Sequence, residues 1–157
     1  MRDSQKSKVY RAERFAEQVW DADQRRWMPM EEVQKWCKAV SRSFHFRKTI
    51  RPVESHRWSA YATDRGYRTG EYIHILGRRM TERVPIISLP KWAQSPLVVC
   101  HELAHHAAGL DHGHDGRFVS VYIQLVRRFV GPTEADVLKL AFRESRVKTK
   151  KNKGGIR

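Results

Sequence analysis

Five of the eight histidines lie between His101 and His114, and His101 and His105 are four residues apart with Glu102 between them. No other feature constrains the fold as strongly, because four residues make one helical turn, so on a helix both imidazoles leave the same face and can grip one ion. The flanking sequence asks for that helix. Ser95-Pro96 offers a serine cap followed by proline at the first helical position, and Gly109 is a natural stop, which predicts a helix from Pro96 to Ala108. Leu97-Val98-Val99 ahead of the histidines would bury it. Neutral imidazole suits Zn²⁺, and Glu102 is close enough to act on a water held by the ion without ligating it. With 8 His and 10 Glu in 157 residues, chance placement produces this pattern in roughly 2–3% of chains. The helix signals around it therefore add weight that the pattern alone does not have.

The rest of the chain fits one soluble domain. Its 157 residues are 40% apolar, enough for a core of its own. Thirty-one Lys+Arg against 17 Asp+Glu leave a net charge of +14, which favours anionic partners. No apolar run reaches the roughly 18 residues needed to span a bilayer, and the N-terminus has no apolar segment resembling a signal peptide. A cytoplasmic protein without a membrane partner is expected. Cys37 and Cys100 are too few for a disulfide framework and lie in apolar stretches, so both read as reduced, packed thiols.

Along the chain, Val9, Ala12, Phe15, Ala16 and Val19 suggest a first helix between Ser7 and Trp20, and Val33, Trp36, Cys37 and Val40 a second, ending near Ser41 to Ser43. Between Thr49 and Leu89 the pattern changes to short β-rich runs at 50–53, 58–62, 72–76 and 84–89, separated by turn signals at 64–66, Gly70 and Gly77. They predict a small, mostly antiparallel sheet, with Pro85 and Pro90 making the last run short or placing it at an edge. After the histidine helix, Asp115 should cap a helix carrying Phe118, Val121, Tyr122, Leu125, Val126 and Phe129, stopped by Gly131-Pro132. Thr133, with Asp136 three residues on, should open the last helix. The fold class is α+β. One domain is expected over 1–145, followed by a basic tail over 146–157 without fixed structure.

A third metal ligand must come from farther along. A metzincin would place glycine at position 108 and histidine at 111, where this chain has Ala108 and Asp111. Glu134 and Glu144 are the glutamates that a later helix could supply, and Asp111 is a weaker carboxylate option. His112 and His114 are nearer. His114 is preferred because it directly precedes the Asp115-Gly116 helix start, where the backbone is anchored, and His112 remains the alternative. His106, four residues after Glu102, either orients that carboxylate or has no role. Tyr122, Arg117 and His74 are candidates for stabilising an oxyanion.

The segments His101-Glu102-Leu103-Ala104-His105-His106 and His114-Asp115-Gly116-Arg117-Phe118 together resemble the SprT-like zincins, and more closely a group of small bacterial and phage zinc metallohydrolases. The resemblance extends to the N-terminal run from Asp3 to Glu13, to Leu89-Pro90-Lys91-Trp92 and to the Gly131-Pro132 break, covering residues 3 to about 146. It implies a minimal zincin fold, with Zn²⁺ held by His101, His105 and His114 and with Glu102 catalytic. Those families usually have glycine after the third histidine, where this chain has Asp115, with Gly113 and Gly116 nearby.

The leading expectation is a zinc-dependent hydrolase, most simply a metallopeptidase whose peptide or protein substrate pairs along a sheet edge. The alternative is a nucleic-acid-associated protein, with the zinc structural or the protease acting on DNA-bound proteins. No helix-turn-helix, zinc-finger or RRM signature is present, so only non-specific phosphate attraction through the basic surface and tail is licensed.

Overall fold

The computed structural model describes residues 3–75 and 78–149, the side chains of 65–83 excepted. Among these the chain is α+β, with five α-helices and one three-stranded mixed sheet: α1 (Lys6–Val19), α2 (Met30–Ser43), β1 (Arg51–Ser55), β2 (Tyr61–Ile75), β3 (Arg78–Pro90), α3 (Pro96–Ala108), α4 (Gly116–Phe129) and α5 (Pro132–Glu144). Short 3₁₀ turns occupy Ala22–Arg25, Lys91–Ala93 and Leu110–His112.

Helix α3 is the centre of the molecule. Eleven of its thirteen residues are buried, including the apolar Leu97, Val99, Cys100, Leu103, Ala104, Ala107 and Ala108, as expected of a helix packed on every side. It begins and ends where the sequence predicts. The Ser95 hydroxyl accepts from the Val98 N–H, Pro96 takes the first position, and Gly109 ends it at φ +101°. Helix α4 lies along α3, and α5 packs on both α4 and α1. Cys37 and Cys100 are buried and free, with burial pushing both thiols up, Cys37 to about 12. Helix α1 buries Val9, Ala12 and Ala16 while Phe15 and Val19 are 47% and 52% exposed, so its inward face is narrower than the sequence stripe implies.

The sheet departs from the expectation of mostly antiparallel pairing. Its order is β1-β3-β2, with β3 antiparallel to β2 and parallel to β1. The loop at 56–60 carries the chain across the position that β3 later fills. Trp58 belongs to that loop rather than to a strand, and is 94% exposed. The run with the two prolines is the central strand, not an edge. Pro85 is tolerated there because it falls at a register shift: Thr63 pairs with Ile86 and Gly66 with Val84, so two residues oppose one, and β1 begins pairing only at Ile86. A missing N–H at such a bulge costs no ladder bond. Pro90 ends the strand. Residues 64–66 and Gly70 lie within β2 rather than marking its ends, and the turn expected at Gly77 lies outside the described residues.

The C-terminal elements differ in detail. Helix α5 starts at Pro132, with no side chain capping it, because proline's fixed φ already suits the first helical position; Thr133 falls inside the first turn. Beyond Glu144 the chain stays attached for several residues. Val147 is buried, and the Lys148 N–H donates to the Gln5 side-chain oxygen. Residues 150–157, most of the expected tail, lie outside the described residues.

Candidate metal centre

One turn of α3 projects His101 and His105 toward the start of α4, where His114 meets them. Their ligand atoms all lie within 4.8 Å of one another, and this is the group of metal-ligating side chains found among the described residues. His101 Nε2 is 3.1 Å from His105 Nε2 and 3.1 Å from His114 Nε2. Three imidazole nitrogens bonded to zinc at about 2.05 Å with tetrahedral angles would stand about 3.3 Å apart. The observed spacing fits that geometry after a small closing of the angles. With the Nδ1 protons of His101 and His114 given to Glu13 and Asp3, their Nε2 lone pairs face each other 3.1 Å apart and repel unless a positive charge lies between them, so the chemistry of the donor set fits a divalent cation.

Carboxylates hold the outer nitrogens. His101 Nδ1–H donates to Glu13 of α1, and His114 Nδ1–H donates to Asp3, which leaves Nε2 of both rings unprotonated toward the centre. Asp3 does more than this. Its other oxygen, Oδ1, accepts from the Gln5 and Lys6 N–H groups at 3.2 and 3.1 Å at the entry to α1, while Oδ2, which takes the His114 ring N–H, also takes the His114 backbone N–H at 3.2 Å. Gln5 completes the clamp by donating from Nε2 to the His114 carbonyl at 2.9 Å. The approach is close enough to demand glycine at 113, where φ is +54° and a Cβ would stand 3.1 Å from the Asp3 carboxylate. Asp115 caps α4 through the Arg117 and Phe118 N–H groups at 2.8 and 3.1 Å, fixing the backbone beside His114.

Aromatic rings close the remaining sides. Phe118, fully buried, lies 5.0, 4.5 and 4.8 Å from the centroids of His101, His105 and His114, forming a floor under all three. Tyr10 stacks flat on His101 at 5.6 Å and meets His114 edge-on at 5.5 Å.

Burial sets the proton affinities. His105 is pulled down to about 2 by burial, then by its histidine neighbours. His114 is lowered because burial outweighs its bond to Asp3. Burial also pulls His101 down, but the charge and hydrogen bond of Glu13, with Glu102 and Asp3 behind, reverse the sign and raise it. Glu102 is pushed up to about 7, chiefly by burial and further by Glu13, against the opposing charge of His101. Among the described residues its carboxyl has no hydrogen-bond partner. It lines a cleft of about 710 Å³ together with Tyr10, Glu13, Leu97, His101 and Trp92. Ser59 and Ala60, the last two loop residues before β2, an edge strand of the sheet, flank the same cleft.

The other candidates are elsewhere. His112 bonds Asp115 through Nδ1 at 2.8 Å, is partly exposed, and stands outside the group. Asp111, Glu134 and Glu144 do not join it either. His106 donates from Nε2 to the Ile86 carbonyl, 2.8 Å away, and so ties α3 to β3 rather than orienting Glu102. The Tyr122 hydroxyl donates to the Leu97 carbonyl at 3.1 Å in the core, which withdraws it from any oxyanion role. Arg117 lies 3.4 Å from His112, and the side chain of His74 lies outside the described residues. Asp3, Tyr10 and Glu13 went unassigned in the sequence reading, although all three fall in its opening run. For Tyr10 and Glu13 the signal available was their spacing of three residues, which puts them on one face of α1, whereas Asp3 precedes the helix and no helical spacing points to it.

The Glu13 bond has a measurable consequence. Glu13→Gln keeps an acceptor but removes the charge that makes His101 a better donor, and zinc affinity should fall about tenfold or more. Competition with a chromophoric chelator measures this, and an unchanged affinity would reduce Glu13 to a spectator. Comparison with protein-family models, with curated proteins and with solved structures finds no match to this chain.

Proposed function

We propose that this chain is a zinc-dependent metallohydrolase of minimal zincin-like, SprT-like type, and that its reaction is peptide hydrolysis with Glu102 as the general base. The observation that carries the reading is the convergence of three imidazole nitrogens beside a buried, unpartnered carboxyl that opens onto a cleft. Zinc at the three histidines would supply the positive charge that acidifies a water molecule and polarises a carbonyl.

The chain's own residues account for the rest. Asp3 and Glu13 hold two rings in the tautomer that presents Nε2 inward, and Phe118 fixes their planes. Glu102, with a proton affinity poised near neutrality, takes a proton from the attacking water and delivers it to the departing amine. An extended peptide would pair with the edge of β2, whose preceding loop residues Ser59 and Ala60 border the cleft.

Tyr10 is the donor best placed for a developing oxyanion. It lines the cleft beside Glu102, and burial together with Glu13, Glu102 and Asp3 raises it to about 12, which keeps the phenol protonated at neutral pH. Tyr10→Phe should lower kcat about 100-fold with little change in KM and with zinc content intact. Equal kcat values for the two proteins would remove Tyr10 from the reaction. The reading as a whole is tested by metal analysis and peptide cleavage on the purified chain, which should hold about one zinc and lose cleavage on chelation. The net charge of +14 keeps nucleic acid as a possible non-specific partner. No described helix is long and apolar enough to cross a membrane.

A further inference from the structure

Two exposed tryptophans line a groove that adjoins the cleft. Trp58 and Trp92 are 94% and 66% exposed, and together with Arg57, Lys91 and Pro90 they line a groove of about 340 Å³. Trp92 also lines the cleft that holds Glu102 and His101, so one indole borders both hollows. Among the described residues neither ring has an aromatic partner, in contrast to Trp36, which stacks on Phe129 at 4.8 Å. Large aromatic faces left open beside a cleft mark a place where something docks.

Charge decides what docks there. A single nucleic-acid strand also uses aromatic platforms, but it needs a groove of net positive charge along its phosphates. Over the described lining of groove and cleft together, four Lys and Arg side chains stand among four Glu side chains, so no excess of positive charge runs along them. Lys91 is 4.0 Å from Glu54, and Arg57 covers the Tyr61 ring at 5.4 Å. In the cleft, Lys6 and Arg14 line the same walls as Glu13, Glu17 and Glu102. The chain's excess positive charge is carried elsewhere. An apolar surface with balanced charge suits an uncharged, bulky side chain.

We propose that Trp58 and Trp92 form a subsite for a bulky apolar, preferentially aromatic, side chain of an extended peptide whose backbone continues into the cleft. The identity of the ligand as substrate rests on the peptidase reading; the binding does not.

The test uses the full chain and end-blocked decapeptides of alanine and serine, with one phenylalanine walked through the positions. Indole emission reports binding, with and without zinc. At one or more positions phenylalanine should tighten binding about tenfold over the alanine-only peptide. Trp92→Ala and Trp58→Ala should each reduce that preference to about twofold or less, with no loss of fold, since both side chains are exposed. A preference that survives both substitutions, the absence of any preference, or tighter indole quenching by an uncleavable oligothymidine than by every peptide would overturn the proposal. Cleavage is scored separately. Binding without cleavage by the zinc-loaded protein counts against the peptidase reading and leaves the subsite standing.

Discussion

Glu102→Gln is expected to abolish hydrolysis, leave the metal in place, and make the metal-free protein more stable above pH 7. The first two effects follow from its role as a base next to the ligands rather than as one of them. The third follows from burial. Its carboxyl is raised from 4.5 to about 7 in the folded chain, so the neutral form is the one the site favours. A carboxyl raised in this way contributes its stabilisation fully below pH 4.5 and loses it as pH rises through about 7. Above that pH the ionised group costs about 3 kcal/mol. Glutamine never ionises, so the variant escapes the cost. Thermal unfolding in the presence of chelator should show equal Tm values at pH 4 and a gain of about 6–12 °C for the variant at pH 8. A destabilised variant at pH 8 would mean that the carboxylate is held by partners, contrary to its unpartnered state. Retained hydrolysis would end the catalytic assignment.

His114→Ala should lose more than about 100-fold in zinc affinity, beyond the range seen when only a supporting carboxylate is removed. His112→Ala should leave zinc at about one per chain. The contrast is sharp because two candidates two residues apart face opposite demands. His114 is buried, bonded to Asp3 and 3.1 Å from His101, whereas His112 is partly exposed and already engaged with Asp115. Circular dichroism on the metal-free variants separates ligand loss from unfolding. Equal losses from the two substitutions would show that the loop rearranges on metal binding and that His114 is not the specific third donor.

Acid should weaken the site for a related reason. Zinc competes with protons for the imidazoles. His105 and His114, both lowered by burial, offer little proton competition at neutral pH, while His101, raised by Glu13, is the ring whose proton must leave. In the metal-free protein the lowered histidines contribute stability present above pH 6.5 and lost on acidification, because the unfolded chain takes up the protons they refuse.

Local chemistry made much of this molecule legible before any coordinates. The helix Pro96–Ala108, its Ser95 cap, its glycine stop and the shared face of His101 and His105 follow from residues within one segment, whose geometry depends on nothing distant. The start of α4 at Gly116, behind its Asp115 cap, was equally plain. Errors gathered where the answer is non-local. Pro85 argues for an edge strand until a bulge in β2 removes the need for its N–H. Thr133 looks like a cap until Pro132 claims the turn before it.

The amino-acid sequence by itself determined that His101 and His105 share one face of α3, since spacing along a helix is direction in space. Only the tertiary structure decided which later histidine completes the group, because His112 and His114 carry the same side chain and differ in what packs beside them. It also brought in Asp3 and Glu13 from the opposite end of the chain. Pairing across about ninety residues or more depends on how helices pack, and that is settled by the whole core at once rather than by any segment of it.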